Sequence, residues 1–142
     1  MSTELRIVMG GLKDDNWISD NAFRNAGGTS IGVTMWGLGE TLTRVSPSGE
    51  VIPWLAESVR NVDPVTWRLA LRSNAVFWDG SPVTAEAVAV SFAQSLRVQK
   101  DVGLLLDADT RARVVDSRTF DIVTPAPTGH VPAALAHPQL IA

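Results

Sequence analysis

The chain has 142 residues, enough for one domain with a hydrophobic core, and its 15 acidic and 12 basic side chains give a net charge of −3. This mild acidity offers no basic excess for nucleic acid, and no apolar run approaches the roughly 20 residues that span a bilayer. Cysteine is absent, which excludes disulfides, thiolate metal sites and cysteine nucleophiles.

Residues 4–9 read as a strand, with Leu5, Ile7 and Met9 on one face. Residues 10–28 follow without periodicity and are dense in Gly, Asp and Asn, so they read as a long loop of the kind that is usually functional or mobile. Trp17 and Phe23 are its aromatic residues, each suited to a ligand wall or to packing. Thr29 or Ser30 caps a short helix to about Leu38, with Ile31, Met35 and Leu38 on its apolar side. Residues 42–45, 46–49 and 50–52 read as strand, turn and strand, and residues 53–58 as a brief helical turn.

Residues 59–62 are expected to form a strand paired with residues 65–71 across Asp63-Pro64. Trp67, Leu69 and Leu71 alternate with Arg68 and Arg72, the period of two of a half-buried strand. Asp79-Gly80-Ser81-Pro82 then breaks the chain, because glycine tolerates positive φ and proline cannot continue a ladder. The main helix is expected at about 84–97. Thr84 is its N-cap, Glu86 faces the positive end of the dipole, and Val83 and Val88 form a hydrophobic staple. Val88, Phe92 and Leu96 recur every four residues as its apolar stripe.

Residues 98–109 are mixed, with Leu104-Leu105-Leu106 suited to a second short helix. Residues 111–124 read as a hairpin turning near Asp116-Ser117, with Phe120 and Ile122 inward, ended by Pro125 and Pro127. Pro132 suits the first turn of a small helix running to Ala136.

No catalytic set emerges. His130 and His137 lack zinc-site spacing and read as ordinary histidines, although a proline-bearing helix between them can bring both near one ligand. No serine has a GxSxG context, and Asp14, Asp15 and Asp20 lack the spacing of a calcium loop. Gly10-Gly11 and Gly27-Gly28 are not phosphate cradles. The expectation from these residues is no enzyme, no metal site and no cofactor. Trp54, Trp67 and Trp78 are expected in the core.

Three ordered blocks carry a resemblance. The first is Gly49-Glu50-Val51-Ile52-Pro53-Trp54-Leu55-Ala56-Glu57-Ser58, and the second runs from Asp63-Pro64 through Thr66-Trp67-Arg68-Leu69-Ala70-Leu71-Arg72. The third is Val76-Phe77-Trp78-Asp79-Gly80-Ser81-Pro82-Val83-Thr84-Ala85-Glu86. In this order and spacing they resemble the family 5 extracytoplasmic solute-binding proteins of ABC transporters, the oligopeptide-, dipeptide- and nickel-binding receptors. The chain departs from the family pattern at Val59, Pro64 and Ala87, where a tryptophan, a turn glycine and an acid are usual.

The resemblance implies an α+β fold. It would be the N-terminal part of a periplasmic binding protein type II lobe, a mixed sheet with antiparallel hairpins and the one main helix. It also implies that residues 1–142 form a single partial domain of a two-lobed protein, with the second lobe absent. Met1-Ser2-Thr3-Glu4 lacks the pattern of a signal peptide, so an exported protein would be present in mature form. The implied function is capture of a peptide or related small solute between two lobes, with delivery to the permease and ATPase subunits of an importer. The implied location is periplasmic or otherwise extracytoplasmic, without direct membrane insertion.

Alternatives are a nickel-chelate receptor and the ligand-sensing domain of a cytoplasmic transcription regulator with this fold. By position in the family, ligand contacts fall near Gly32, near Lys100 and Gly103, and at His137, with Trp17 in the cleft-bordering loop. Nickel-type members carry an arginine and a tryptophan where this chain has Lys100 and Gly103, and an arginine at His137.

Overall fold

A computed structural model of the chain describes residues 39–98, 103–138 and 140. The expected strand at 4–9, the loop and helix before Gly39, and the site candidates Trp17, Gly32 and Lys100 lie outside the described residues.

Eight elements follow in order: β1 (Thr43–Val45), β2 (Val51–Pro53), β3 (Ala56–Asp63), β4 (Thr66–Leu71), α1 (Ala85–Val98), β5 (Arg111–Val114), β6 (Thr119–Val123) and α2 (Val131–Ala134). The expected α+β class, with antiparallel hairpins and one main helix, is what they form. β1 and β2 make a two-stranded hairpin, and the other strands make a four-stranded sheet in the order β3-β4-β6-β5 with every neighbouring pair antiparallel.

Turn chemistry sets the registers. Gly49, at φ 87°, closes the β1–β2 turn, where its N–H donates to the Ser46 carbonyl at 2.9 Å. Asp63 accepts from the Val65 N–H at 2.9 Å to turn β3 into β4. Between β5 and β6 the Asp116 carboxylate accepts from the N–H groups of Arg118 and Thr119 at 2.9 and 2.8 Å. Those donors hold the Asp116 carboxyl below its usual pKa, the Arg118 N–H contributing most.

The alternation of β4 places Leu69 and Leu71 in the core, fully buried, while Arg68 takes the opposite face. Phe120 and Ile122 point inward from β6, as their spacing predicts, and both are fully buried. α1 lies against β5 and β6 and contributes Val88 and Phe92 to the same core. Thr84 is its N-cap: the hydroxyl accepts from the Ala87 N–H at 3.2 Å, and Val83 and Val88 are both buried beside it. Thr84→Ala is expected to lower stability by about 1 kcal/mol, because that N–H loses its acceptor. Urea unfolding checks this, with Thr84→Ser expected to stay near the parent. α2 begins at Val131 with Pro132 in its first turn, and the Thr43 hydroxyl donates to the Pro132 carbonyl at 2.6 Å, which ties α2 to β1.

Three expectations are corrected. Residues 53–58 do not form a helical turn, because β3 starts at Ala56. The reason is that the N–H groups of Trp54, Leu55 and Ala56 donate to the carbonyls of Leu42, Thr41 and Leu42, so the chain is held across to the β1 segment and not to its own preceding turn. Trp78 is 83% exposed and not core. It sits at the tip of a tight hairpin in which the Phe77 N–H donates to the Ser81 carbonyl at 2.8 Å and Gly80 adopts φ 84°, which turns residue 78 outward. Trp54 is half-buried, whereas Trp67, also half-buried, packs against the core as expected while its indole N–H reaches the Thr128 carbonyl at 2.9 Å. At residues 103–104 the described chain makes a short 3₁₀ turn rather than a longer helix, with Leu104 outward, Leu105 partly buried against the core and Leu106 buried.

Candidate functional site

Gly103 and His137, the two described candidates, stand on segments that one contact fastens together. Nε2 of His130 lies 2.7 Å from the Leu105 carbonyl, which places a ring proton on Nε2. The 103–106 turn is thereby held against the start of α2. His130 is committed to this bond, so it fixes structure here. His137 follows α2, half-buried, with its N–H on the Ala134 carbonyl at 3.0 Å and its carbonyl accepting from the Leu140 N–H at 2.9 Å. Its backbone is therefore held on both sides. Gly103 is exposed, and a Cβ added there would meet nothing within 4 Å. Among the described residues no cluster of three or more His, Cys, Asp or Glu has the arrangement of a metal site.

A concavity of about 600 Å³ opens elsewhere, beside the residue 76–82 hairpin. Glu40, Leu55, Arg72, Asn74, Phe77 and Trp78 are among its lining residues. Arg72 donates from NH2 to Glu40 Oε2 at 2.6 Å, each side chain being about one-third exposed. Two cations lie over the Trp54 ring, the Arg44 guanidinium 3.6 Å from its centroid and that of Arg72 at 5.9 Å. The hairpin is stiff: Asp79 Oδ1 accepts from both the hydroxyl and the N–H of Ser81, at 2.6 and 2.9 Å. The hydroxyl first, and then the N–H, hold the Asp79 carboxyl below its usual pKa. These lining residues supply charge, hydrogen bonds and aromatic surface, which is the chemistry of binding.

Residues 50–142 match the family of bacterial extracellular solute-binding proteins, family 5 Middle. The chain belongs to that family. Over 54 residues it is 43% identical to the nickel-binding periplasmic protein of Escherichia coli strain K12, covering 37% of this chain and 10% of that protein. Among solved structures, the murein tripeptide binding protein MppA of Escherichia coli superposes with a TM-score of 0.72 at 22% identity, over 87% of this chain and 28% of MppA. A nickel ABC transporter structure from Bacillus halodurans gives 0.63 at 30% identity, over 72% of this chain and 22% of its own. The likeness therefore spans about a quarter or less of these relatives' own length.

For this family 5 chain the solved structures bear out the periplasmic binding protein type II fold. The Glu40–Arg72 and Arg44–Trp54 contacts were not anticipated from sequence. The available signal was the polar side of β4, since the alternation that buries Leu71 leaves Arg72 outside the core and near an acid from another segment.

Proposed function

We propose that the chain is part of the solute-capturing component of an ABC importer, working outside the cytoplasm. In this reading residues 1–142 belong to the N-terminal lobe of a two-lobed receptor. Closure of the lobes around a peptide or related small solute precedes docking on the permease, which works with its ATPase. The observation that carries it is the family match over residues 50–142. The cleft wall in this part of the protein is assigned to Trp17, Gly32, Lys100, Gly103 and His137. Gly103, standing where nickel-type members carry a tryptophan, favours a peptide over a compact chelate that an aromatic wall would grip. A nickel chelate is the second reading, favoured by the 43% identity to the nickel-binding protein.

Calorimetric titration of the whole receptor, encoded by the complete reading frame, tests both. A tripeptide library is expected to bind. His137→Ala is expected to weaken binding by about fivefold, the loss of one hydrogen bond of about 1 kcal/mol. Binding of nickel–histidine with no response to peptides would replace the first reading by the second. Because part of a cleft buries less of a ligand, residues 1–142 alone are expected to bind far more weakly than the whole receptor.

A further inference from the structure

The outward face of the four-stranded sheet carries a segregated set of arginines. Register places Arg60 of β3 opposite Arg68 of β4, Arg68 opposite Asp121 of β6, and Asp121 opposite Arg113 of β5. Arg111, two residues before Arg113, shares this face. Four arginines thus share one sheet face in a chain whose net charge is −3, and two of them bind the Asp121 carboxylate.

Asp121 is fully buried beneath them and orients two of the four. It accepts from Arg68 Nε and NH2 at 2.7 and 3.0 Å and from Arg113 NH2 at 2.8 Å. Arg113 remains 63% exposed, so most of its donors still face solvent. Arg60 and Arg111 are exposed and make no ion pair among the described residues. Like charges directly opposite across a strand pair destabilise a sheet, so the Arg60–Arg68 pair has a cost that no ion pair of Arg60 among the described residues offsets.

We infer that this face is a docking surface for the carboxylate-bearing surface of a partner protein. The cations are all arginine, whose planar fork matches carboxylates two bonds at a time. Ser58, Ala70 and Thr119 border the patch on one side, and Val123 lies directly opposite Arg111. None of these is the Trp, Phe or Leu that inserts into a lipid surface. Strand spacing limits the patch to a few hundred Å², roughly 300 Å². That is well below the roughly 800 Å² per partner of stable complexes, so the contact is rapidly reversible and salt-sensitive.

The test is fluorescence anisotropy of a short labelled poly-L-glutamate with the whole receptor that contains this chain, at low and at physiological salt. Reversals R60E and R111E are each expected to weaken binding about fivefold. R97E, which changes net charge equally on α1, is expected to leave it within about twofold. R60E converts the like-charge pair with Arg68 into an ion pair, so its urea midpoint is expected to hold or rise, which separates lost binding from lost folding. Equal weakening by R97E would reduce the effect to net charge and overturn the proposal. Absence of binding at low salt would also overturn it. So would phosphatidylglycerol vesicles binding in an Arg60-dependent way while poly-L-glutamate does not, which would make the face a lipid contact.

Discussion

Phe120→Ala is expected to lower the stability of the chain by about 3–5 kcal/mol, most of what a domain of this size commonly has. Phe120 is fully buried in β6 and sits opposite Leu69 of β4 on one side and Val114 of β5 on the other. Val88 and Phe92 of α1 belong to the same core, so the ring lies where sheet and helix meet. Its removal takes away both the transfer free energy and the contacts of every neighbour around the hole, and two packed layers cannot both collapse into it. Phe120→Leu keeps most of the volume and is expected to cost less than half as much. Chemical denaturation of both variants is the measurement. A loss below about 1 kcal/mol for the alanine variant would contradict the placement of β6 between β4 and β5.

That placement was only partly legible in the sequence. The hairpin of β5 and β6 follows from alternation and the Asp116-Ser117 turn, because both signals are local. The pairing of β6 with β4 is not local, since more than 40 residues separate Arg68 from Asp121 and α1 lies between them. The helix itself was readable to within a residue, because Thr84, Glu86 and the Val88–Phe92–Leu96 stripe all name the same boundaries and face. Residues 53–58 misled because their composition suits a helical turn while their N–H groups are claimed by carbonyls of another segment, a choice that tertiary pairing makes.

The candidate site divides in the same way. His137 and Gly103 were found by position in the family, and nothing local marks them as neighbours of one fastened region. The contact that joins their segments, His130 to Leu105, spans 25 residues. Trp78 lies within a family block, which suggested a core role, but its exposure is decided by the tight turn at Asp79-Gly80 and not by hydrophobicity. Asp121 gave the least warning. A single acid inside a strand that alternates Phe120 and Ile122 reads as the solvent-facing residue between two core residues. It is buried only because arginines from both neighbouring strands close over it.

Asp121→Ala is therefore expected to lower stability by about 2 kcal/mol near neutral pH. Stripping a carboxylate from a fully buried pair costs about 3–5 kcal/mol, but here both guanidinium groups reach solvent, which screens the charge left behind. The hydrogen bond from Arg68 is the main cause that holds the Asp121 carboxyl below its usual pKa. Burial opposes it, and the Arg113 hydrogen bond adds to the lowering. A carboxyl depressed in the folded state stabilises the fold above its ordinary unfolded value, near about 4, and this stabilisation is lost as pH falls through the lower folded value. The expected result is a pH-dependent gap between parent and Asp121→Asn, a variant of equal shape without the charge. In urea unfolding the gap should be constant from about pH 7 to about pH 5 and should narrow as the solution is acidified below about 4. A gap that stays constant to the lowest pH at which the chain remains folded would mean that Asp121 holds the sheet by shape alone. The arginines on that face would then owe their orientation to something other than its charge.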